Sequence, residues 1–511
     1  MDPSNGTTAF FSRNLVDIAN GQAEQIPRRT SSAATVVRVM TYNVLAPSLA
    51  TVDYFPRSAP EHLLPSGRFK HMWAEVSHYQ PNILCLQEAE NFKDNFAGPL
   101  RKRGYQMEYF VSWKGKSHGC CIAWKANQWR KRRAITISLN KNTTVQGLVE
   151  WCRAERHLVT TEGCPLVELK PRYQKRVHGT WKLRTGNVAG IVVLERCSAP
   201  TQSQPRHRKG TDSYVEMFAG MHLDGLTLPS HSAQSALESS ASQSDTVPGL
   251  IVVTCHLYWQ FSGTFHRLIQ LACIFREIAI LQQSLGYPVL LVGDFNTIPN
   301  DPNYKLLTGQ PLEEADLDKL VKSMHELALA QLPRMVNSSL PSDTQLFTSI
   351  PHDWKRQYVQ QLTKLVQGNF TSIYYSTNHT AGWQGSASEP PYTTYCEFQG
   401  TLDYMFWTRQ LVKNPNVLTE YIRRRLPKRG PPRFDFAVTV PTTGQSEKDQ
   451  SDCHSAEETS SSTPDHSLHY SVNRLLQLPP TSVLEPGIPN ALFPSDHLCL
   501  MVELAVDDVV S

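Results

Sequence analysis

The chain has eleven cysteines but no Cys-x-x-Cys pair; the nearest two are the adjacent Cys120 and Cys121. That pattern argues against a disulfide framework and against a thiolate zinc site. Cys85, Cys255 and Cys499 lie inside apolar runs, where a free thiol acts as a small hydrophobe, and this points to a reducing compartment. Excess charge is also missing. A net +4 over 511 residues does not mark the surface as a nucleic-acid binder, so basic character must be local. No apolar run approaches the ~20 residues that span a bilayer. The N-terminus lacks a secretory apolar region, because Phe10 and Phe11 are followed at once by Ser12, Arg13 and Asn14. Asp2, Asp17 and Glu24 count against a mitochondrial presequence. The expectation is a protein of the cytoplasm, the nucleus or both, with no membrane partner.

Hydrophobic residues make up 40% and charged residues 19%, an ordinary globular balance. Residues 1–35 are polar and rich in Ser and Thr, and read as a flexible tail. Two later stretches, 198–244 with Arg206-His-Arg-Lys209 and the Ser/Glu/Asp-rich 442–467, lack periodicity. Strand signals resume after each, so both read as disordered insertions in one catalytic domain over 36–507.

The strand signals share one form, a short apolar run ending in a polar residue. They are Val36-Val-Arg-Val-Met-Thr-Tyr-Asn43, Asn82-Ile-Leu-Cys-Leu-Gln-Glu88 and Leu250-Ile-Val-Val-Thr-Cys-His256. Pro288-Val-Leu-Leu-Val-Gly-Asp294, Thr401-Leu-Asp-Tyr-Met-Phe-Trp407 and His497-Leu-Cys-Leu-Met-Val-Glu503 follow. Near-continuous apolarity predicts strands covered on both faces. Phe69, Met72, Trp73 and Val76 fit one helix face; Leu268, Leu271, Ala272, Phe275 and Ile278 fit another, closed by Gly286 and Pro288. The class is α/β; periodicity alone leaves open packed sheets between helical layers or one doubly wound sheet.

The polar residues that punctuate the strands are Asn43, Glu88, His256, Asp294, Asn296, Asp403, Asp496 and His497. Carboxylates and amides are hard oxygen ligands of the kind magnesium prefers. A phosphodiester needs its oxygens neutralised, a water activated and a cation near the leaving oxygen, which metal ions with acid and base groups supply. Each residue alone has a plainer account. Glu88 could cap a strand, Gly293-Asp294 could be a turn, and His256 could be a satisfied core histidine. Ser495-Asp496-His497 looks like a hydrolase triad fragment, but no Gly-x-Ser-x-Gly elbow accompanies it. Asp403 lies in an apolar strand, where a carboxylate requires a partner or a metal. Their joint occurrence at strand ends decides for chemistry.

Met40-Thr-Tyr-Asn-Val-Leu-Ala46, Leu84-Cys-Leu-Gln-Glu88, His256-Leu-Tyr-Trp259, Gly293-Asp-Phe-Asn296, Leu402-Asp-Tyr404 and Pro494-Ser-Asp-His497 stand in one order. They resemble the signature of the endonuclease/exonuclease/phosphatase superfamily, in its carbon-catabolite-repressor deadenylase, nocturnin and Angel branch. His118-Gly-Cys-Cys-Ile-Ala-Trp124, Gly263-Thr-Phe-His-Arg-Leu-Ile-Gln270 and the lack of leucine-rich repeats are most similar to the fungal Ngl-type RNA exonucleases. The resemblance implies a DNase I-like two-sheet α/β sandwich with helices on its outer faces. It implies that Glu88 binds magnesium, for which manganese could substitute, with Asn43 close by and Asp496 supporting the site. Asp294 and Asn296 would position the attacking water and a second metal or phosphate oxygen. His497 would touch the scissile phosphate, oriented by Asp403, and His256 would stabilise developing charge. Phe398 matches an aromatic on which a terminal base stacks, worth ~1–3 kcal/mol per base.

The chain departs from the pattern at Thr254-Cys-His256, where Asn-Thr-His is frequent, and at Phe261, where a proline is frequent. The second puts an inherited base preference in doubt. Arg130-Lys-Arg-Arg133 and Arg423-Arg-Arg425 with Lys428, Arg429 and Arg433 could grip an RNA backbone, or form solvated faces. The resemblance thus implies a magnesium-dependent 3′-to-5′ exonuclease on single-stranded RNA, for ribosomal RNA 3′-end processing or poly(A) shortening. A 2′,5′-phosphodiesterase or small-molecule phosphatase is the second reading. A catalytically inactive RNA- or protein-binding adaptor is the third, and no need of a scaffold explains the whole acidic set.

Overall fold

The computed structural model describes residues 10–17, 35–112, 117–139, 186–197, 249–331, 352–375, 389–408 and 469–507. The expected insertions at 198–244 and 442–467, and the basic cluster from Arg423 to Arg433, lie outside the described residues.

The first strands are β1 (Leu15–Asp17), β2 (Thr35–Asn43), β3 (Ile83–Glu90), β4 (Tyr105–Phe110) and β5 (His118–Lys125). Next come β6 (Trp129–Ser138), β7 (Val188–Arg196), β8 (Gly249–His256), β9 (Val289–Asp294) and β10 (Thr371–Ser372). The last are β11 (Thr394–Tyr395), β12 (Gln399–Gly400), β13 (Asp403–Thr408), β14 (His469–Leu476) and β15 (Leu500–Asp507). Seven form one sheet in the order β1-β14-β15-β2-β3-β5-β4, and six form a second in the order β10-β13-β9-β8-β7-β6. Each contains one parallel pair, β2 with β3 and β8 with β9.

Alternation along each strand explains its continuous apolar run. Val37, Val39, Ile83 and Cys85 of the first sheet meet Val192, Val252, Val292 and Met405 of the second in a shared buried layer. The residues between them point outward instead. Met40, Leu84 and Leu86 pack under helix α1 (Pro65–Tyr79) through Met72, Trp73 and Val76. Ile251, Val253, Val289 and Leu291 pack under α2 (Thr264–Leu285), α3 (Pro302–Leu307), α4 (Glu314–Gln331) and α5 (His352–Val366). Both faces of both sheets are thus apolar. The architecture is the two-sheet sandwich with outer helices.

Helix α2 buries Phe265, Leu268, Leu271, Ile274, Phe275 and Ile278, each contributing ~1.5–3 kcal/mol on transfer from water. It stops at Gly286, whose φ of 67° is left-handed and whose N–H returns to the Gln282 carbonyl. By length and composition the segment Phe261–Leu285 could cross a bilayer, which amends the expectation that no segment would. Its apolar face is occupied by the sheet and by α4 and α5, as in the core helix of a globular domain.

The tail is corrected in part. Residues 10–17 fold back, and β1 pairs with β14 through Leu15–Leu476 and Asp17–Arg474. Phe10 packs edge-on against His78 at 5.1 Å, and Phe11 meets Phe493 at 5.8 Å. Arg13 is buried, donating to Glu75 Oε1 at 2.9 Å and to the Cys499 carbonyl at 3.0 Å. Polar composition concealed these four anchors. Replacing Arg13 by Ala leaves Glu75 buried without its cation and is expected to cost ~3–5 kcal/mol of stability in denaturant melts. A loss under ~1 kcal/mol would mean that the segment contributes nothing to the fold.

Candidate active site

The carboxyl ends of both parallel pairs meet at one edge of the sandwich. Asn43 ends β2, His256 ends β8 and Asp294 ends β9, while Asp403 opens β13 directly opposite Asp294 in register. Glu88 comes from β3 at an irregularity where the pairing with β5 shifts between Leu86 and Ala89. Its φ of 58° is left-handed, a conformation that a non-glycine residue holds only under the constraint of its surroundings. Gly293 has φ of 137°, and a Cβ there would lie 2.1 Å from the Cys255 carbonyl oxygen. Any side chain would therefore part β9 from β8 and carry Asp294 away from His256.

Asn43 is the joint between the carboxylates. Its Nδ2 donates to Glu88 Oε1 at 3.1 Å and to Asp294 Oδ2 at 3.0 Å, and its Oδ1 accepts from the Leu45 N–H. With its oxygen turned to the backbone, Asn43 braces both carboxylates through Nδ2. Glu88 Oε2 accepts from the Ala46 N–H at 2.8 Å. Burial would push the Glu88 carboxyl up, but His256, the Ala46 N–H and Asn43 outweigh it and hold the group below its ordinary value. His256 is 18% exposed, with Nε2 3.5 Å from Asp294 Oδ2 and Nδ1 3.9 Å from Glu88 Oε1. Asn296 takes a left-handed φ of 50°, which Asn tolerates. Its Nδ2 donates to the Leu257 carbonyl, and its N–H to Asp294 Oδ1.

Asp403 Oδ2 lies 2.7 Å from His497 Nδ1 and accepts from Thr393 Oγ1 at 2.7 Å. The other imidazole nitrogen then faces Asp496 Oδ2 at 3.6 Å and Asp294 Oδ2 at 3.8 Å. Burial raises Asp403, against the pull of His497. Burial works to lower His497, yet Asp403, Asp496 and Asp294 hold it well above the ordinary value for histidine. Both directions describe a pair that keeps a proton which each group alone would release. Burial also pushes Asp496 up to about 6, a rise that His497 limits.

Sequence reasoning missed several members of this site. Arg68 is buried, donating from Nε to the Pro494 carbonyl and from Nη2 to Val44 and Leu45 carbonyls. It ties the turn after β2 to the turn before His497. Thr393 receives the Leu402 and Asp403 N–H groups while donating to the Asp403 carboxylate. Gln87 sits between the sheets, donating to Thr41 Oγ1 and Thr254 Oγ1. Only Gln87 had a local signal, as a polar residue within an apolar run. By contrast, the basic run Arg130–Arg133 is corrected as a site element. Trp129 and Arg130 pair with Arg196 and Glu195 at the end of β7 away from Val188, the partner of His256. Arg130 and Arg132 bind Glu195, and Lys131 binds Glu108.

Phe398 is half-buried in the β11–β12 hairpin, 5.2 Å from the strongly exposed Phe261, with the ring planes at 60°. The hairpin is fastened to the site, since Thr394 bridges to His497 and its hydroxyl donates to the Asp496 carbonyl at 2.7 Å.

Among the described residues, Asp294, Asp403 and His497 form a group whose ligand atoms lie within 4.8 Å of one another. The Asp403 oxygen in it is already committed to His497 and Thr393, so this group reads as a hydrogen-bonded relay. Glu88 and Asp496 add two further carboxylates within electrostatic reach of each other. Among the described residues, four carboxylates gather here against the guanidinium of Arg68, that of Arg267 behind Asp294, the His256 ring and the proton-retaining imidazole of His497. That surplus of negative charge in a largely buried site fits a divalent cation held by hard oxygens.

The chain matches the endonuclease/exonuclease/phosphatase family over residues 40–421 and belongs to it. The family is one of hydrolases, and the fold and acidic cluster agree with it. The matched span stops short of Asp496 and His497, which the tertiary structure brings to the same site. The probable RNA exonuclease C9B6.11c of Schizosaccharomyces pombe is 24% identical over 445 residues, 79% of this chain and 71% of that one. The probable RNA exonuclease NGL3 of Saccharomyces cerevisiae is 25% identical over 406 residues, 73% of this chain and 64% of its own length. Among solved structures, ANGEL2, a 2′,3′-cyclic phosphatase, superposes with a TM-score of 0.51 at 15% identity, covering 98% of this chain and 99% of that one.

Proposed function

We propose that this chain is a magnesium-dependent phosphodiesterase that removes nucleotides from the 3′ end of single-stranded RNA. The observation that carries the reading is the joining of Glu88, Asp294 and Asp496 with His256 and the Asp403–His497 pair at one sandwich edge. Glu88 and Asp496 would hold the cation with Asn43 beside them, and the cation would neutralise the phosphate oxygens and acidify a bound water. Asp294 accepts the proton of the attacking water, from a position fixed by Asn43 and the Asn296 N–H. His497, charged and oriented through Nδ1, presents Nε2–H to a non-bridging oxygen as negative charge builds there. His256 serves the same developing charge from the Glu88 side.

The RNA assignment is supported by the two fungal relatives and by Phe398 and Phe261, two rings beside the site that offer a terminal base a stacking surface. Ribosomal RNA precursors and poly(A) tails are the substrate classes to compare. Turnover of 5′-labelled single-stranded RNA is expected to release mononucleotides stepwise from the 3′ end, only with magnesium or manganese. Faster cleavage of a 2′,5′-linked dinucleotide or a small phosphate ester would replace this reading with a phosphatase or 2′,5′-phosphodiesterase. Binding without any turnover would make the chain an adaptor.

A further inference from the structure

The segment linking His256 to α2 is anchored at nearly every residue. Asn296 Nδ2 holds the Leu257 carbonyl at 3.1 Å, and Gln270 Oε1 accepts the Tyr258 N–H at 2.9 Å. Arg267 is buried to 2% exposure. Its Nη1 donates to the Tyr258 and Gln260 carbonyls at 3.1 and 2.7 Å, and its Nη2 to Phe261 at 3.3 Å. The Tyr258 ring stacks on His266 at 4.5 Å, and a Cβ on Gly263 would strike it at 2.3 Å. Between these anchors stands Trp259, 67% exposed.

An exposed tryptophan on a mobile loop means little. An indole carried on backbone that a buried guanidinium clamps on both sides is different, because the main chain that carries it has little freedom left to lose when a base stacks on the ring. Its location is bounded by the chain. Three residues from His256 span at most about 11 Å, roughly three nucleotide steps at ~3.4 Å each. Phe261, two residues further, already touches Phe398. We infer that Trp259 is a second stacking position, taking a nucleobase one or two places 5′ of the terminal nucleotide, with Arg267 as the residue that positions it. The inference rests on the RNA reading above and deepens it, because it makes substrate length a determinant of binding.

The test uses a pentanucleotide RNA and the same RNA with abasic sites at the two positions before the 3′-terminal nucleotide. kcat/KM is measured for the full-length wild type, Trp259→Ala and Trp259→Phe. Trp259→Ala should lose about tenfold on the base-bearing RNA, mainly through KM, and less than twofold on the abasic RNA. Trp259→Phe should recover most of the loss, since it keeps a π face. Equal losses on both RNAs, or no loss on the base-bearing one, would overturn the inference and leave the RNA reading standing. A wild type that cuts neither RNA would overturn the RNA reading, and this one with it.

Discussion

Glu88→Gln is expected to abolish turnover while the melting temperature stays within a few degrees of the wild type. The substitution preserves length and an acceptor oxygen for either Asn43 Nδ2 or the Ala46 N–H, so the turn after β2 keeps most of its support. What it removes is the negative charge, from a site where His256 and two hydrogen bonds keep the Glu88 carboxyl ionised against the effect of burial. Removing one charge from a crowded acidic cluster also relieves repulsion, which offsets the lost hydrogen bond. If that charge binds the cation, the rate should fall by at least ~100-fold, the scale on which one electrostatic contributor acts. EDTA should inactivate the wild type, and added magnesium should restore it. Full activity in Glu88→Gln would remove Glu88 from the proposed cation site.

Asp403→Asn and His497→Ala should each cost ~100-fold or more in single-turnover cleavage at saturating magnesium, and the double variant should be scarcely worse than either. The reason is the 2.7 Å contact between Oδ2 and Nδ1, which leaves Nε2 as the only free nitrogen and aims it at the site. Asparagine keeps the shape of the partner but not its charge, so the imidazole loses the main influence that keeps it protonated. Without the imidazole, Asp403 has nothing left to orient. Strictly additive losses in activation free energy would show two independent residues.

The strands were readable because burial on both faces leaves no gap in an apolar run, and a polar residue at one end of each run enters the site. Asn43, His256 and Asp294 stand at such ends, and Asp403 at a strand start. The choice between one sheet and two was not readable from periodicity, since either covers both faces. Arg68 was missed because its significance lies in carbonyls supplied by residues 44, 45 and 494, which only the tertiary structure gathers. Arg13 was missed for a related reason. Its partners Glu75 and Cys499 are 62 and 486 residues away, so composition around residue 13 carries no trace of them. The Arg130–Arg133 run could be read either as an RNA grip or as a solvated face, and three of its four charges are answered across strands by Glu195 and Glu108.

The strand order of the larger sheet sets a timetable for synthesis. β1 and β2, within the first 43 residues, are separated in the sheet by β14 and β15, which begin at residue 469. A growing chain can dock β2 on β3 early, but one flank of β2 has no neighbour until β15 leaves the ribosome. His497 arrives in the same last stretch. The final strands therefore close the sheet, seat Arg13 against Cys499 and deliver the imidazole together. For hundreds of residues the nascent chain carries an open β edge, the condition under which strands pair with the wrong partner.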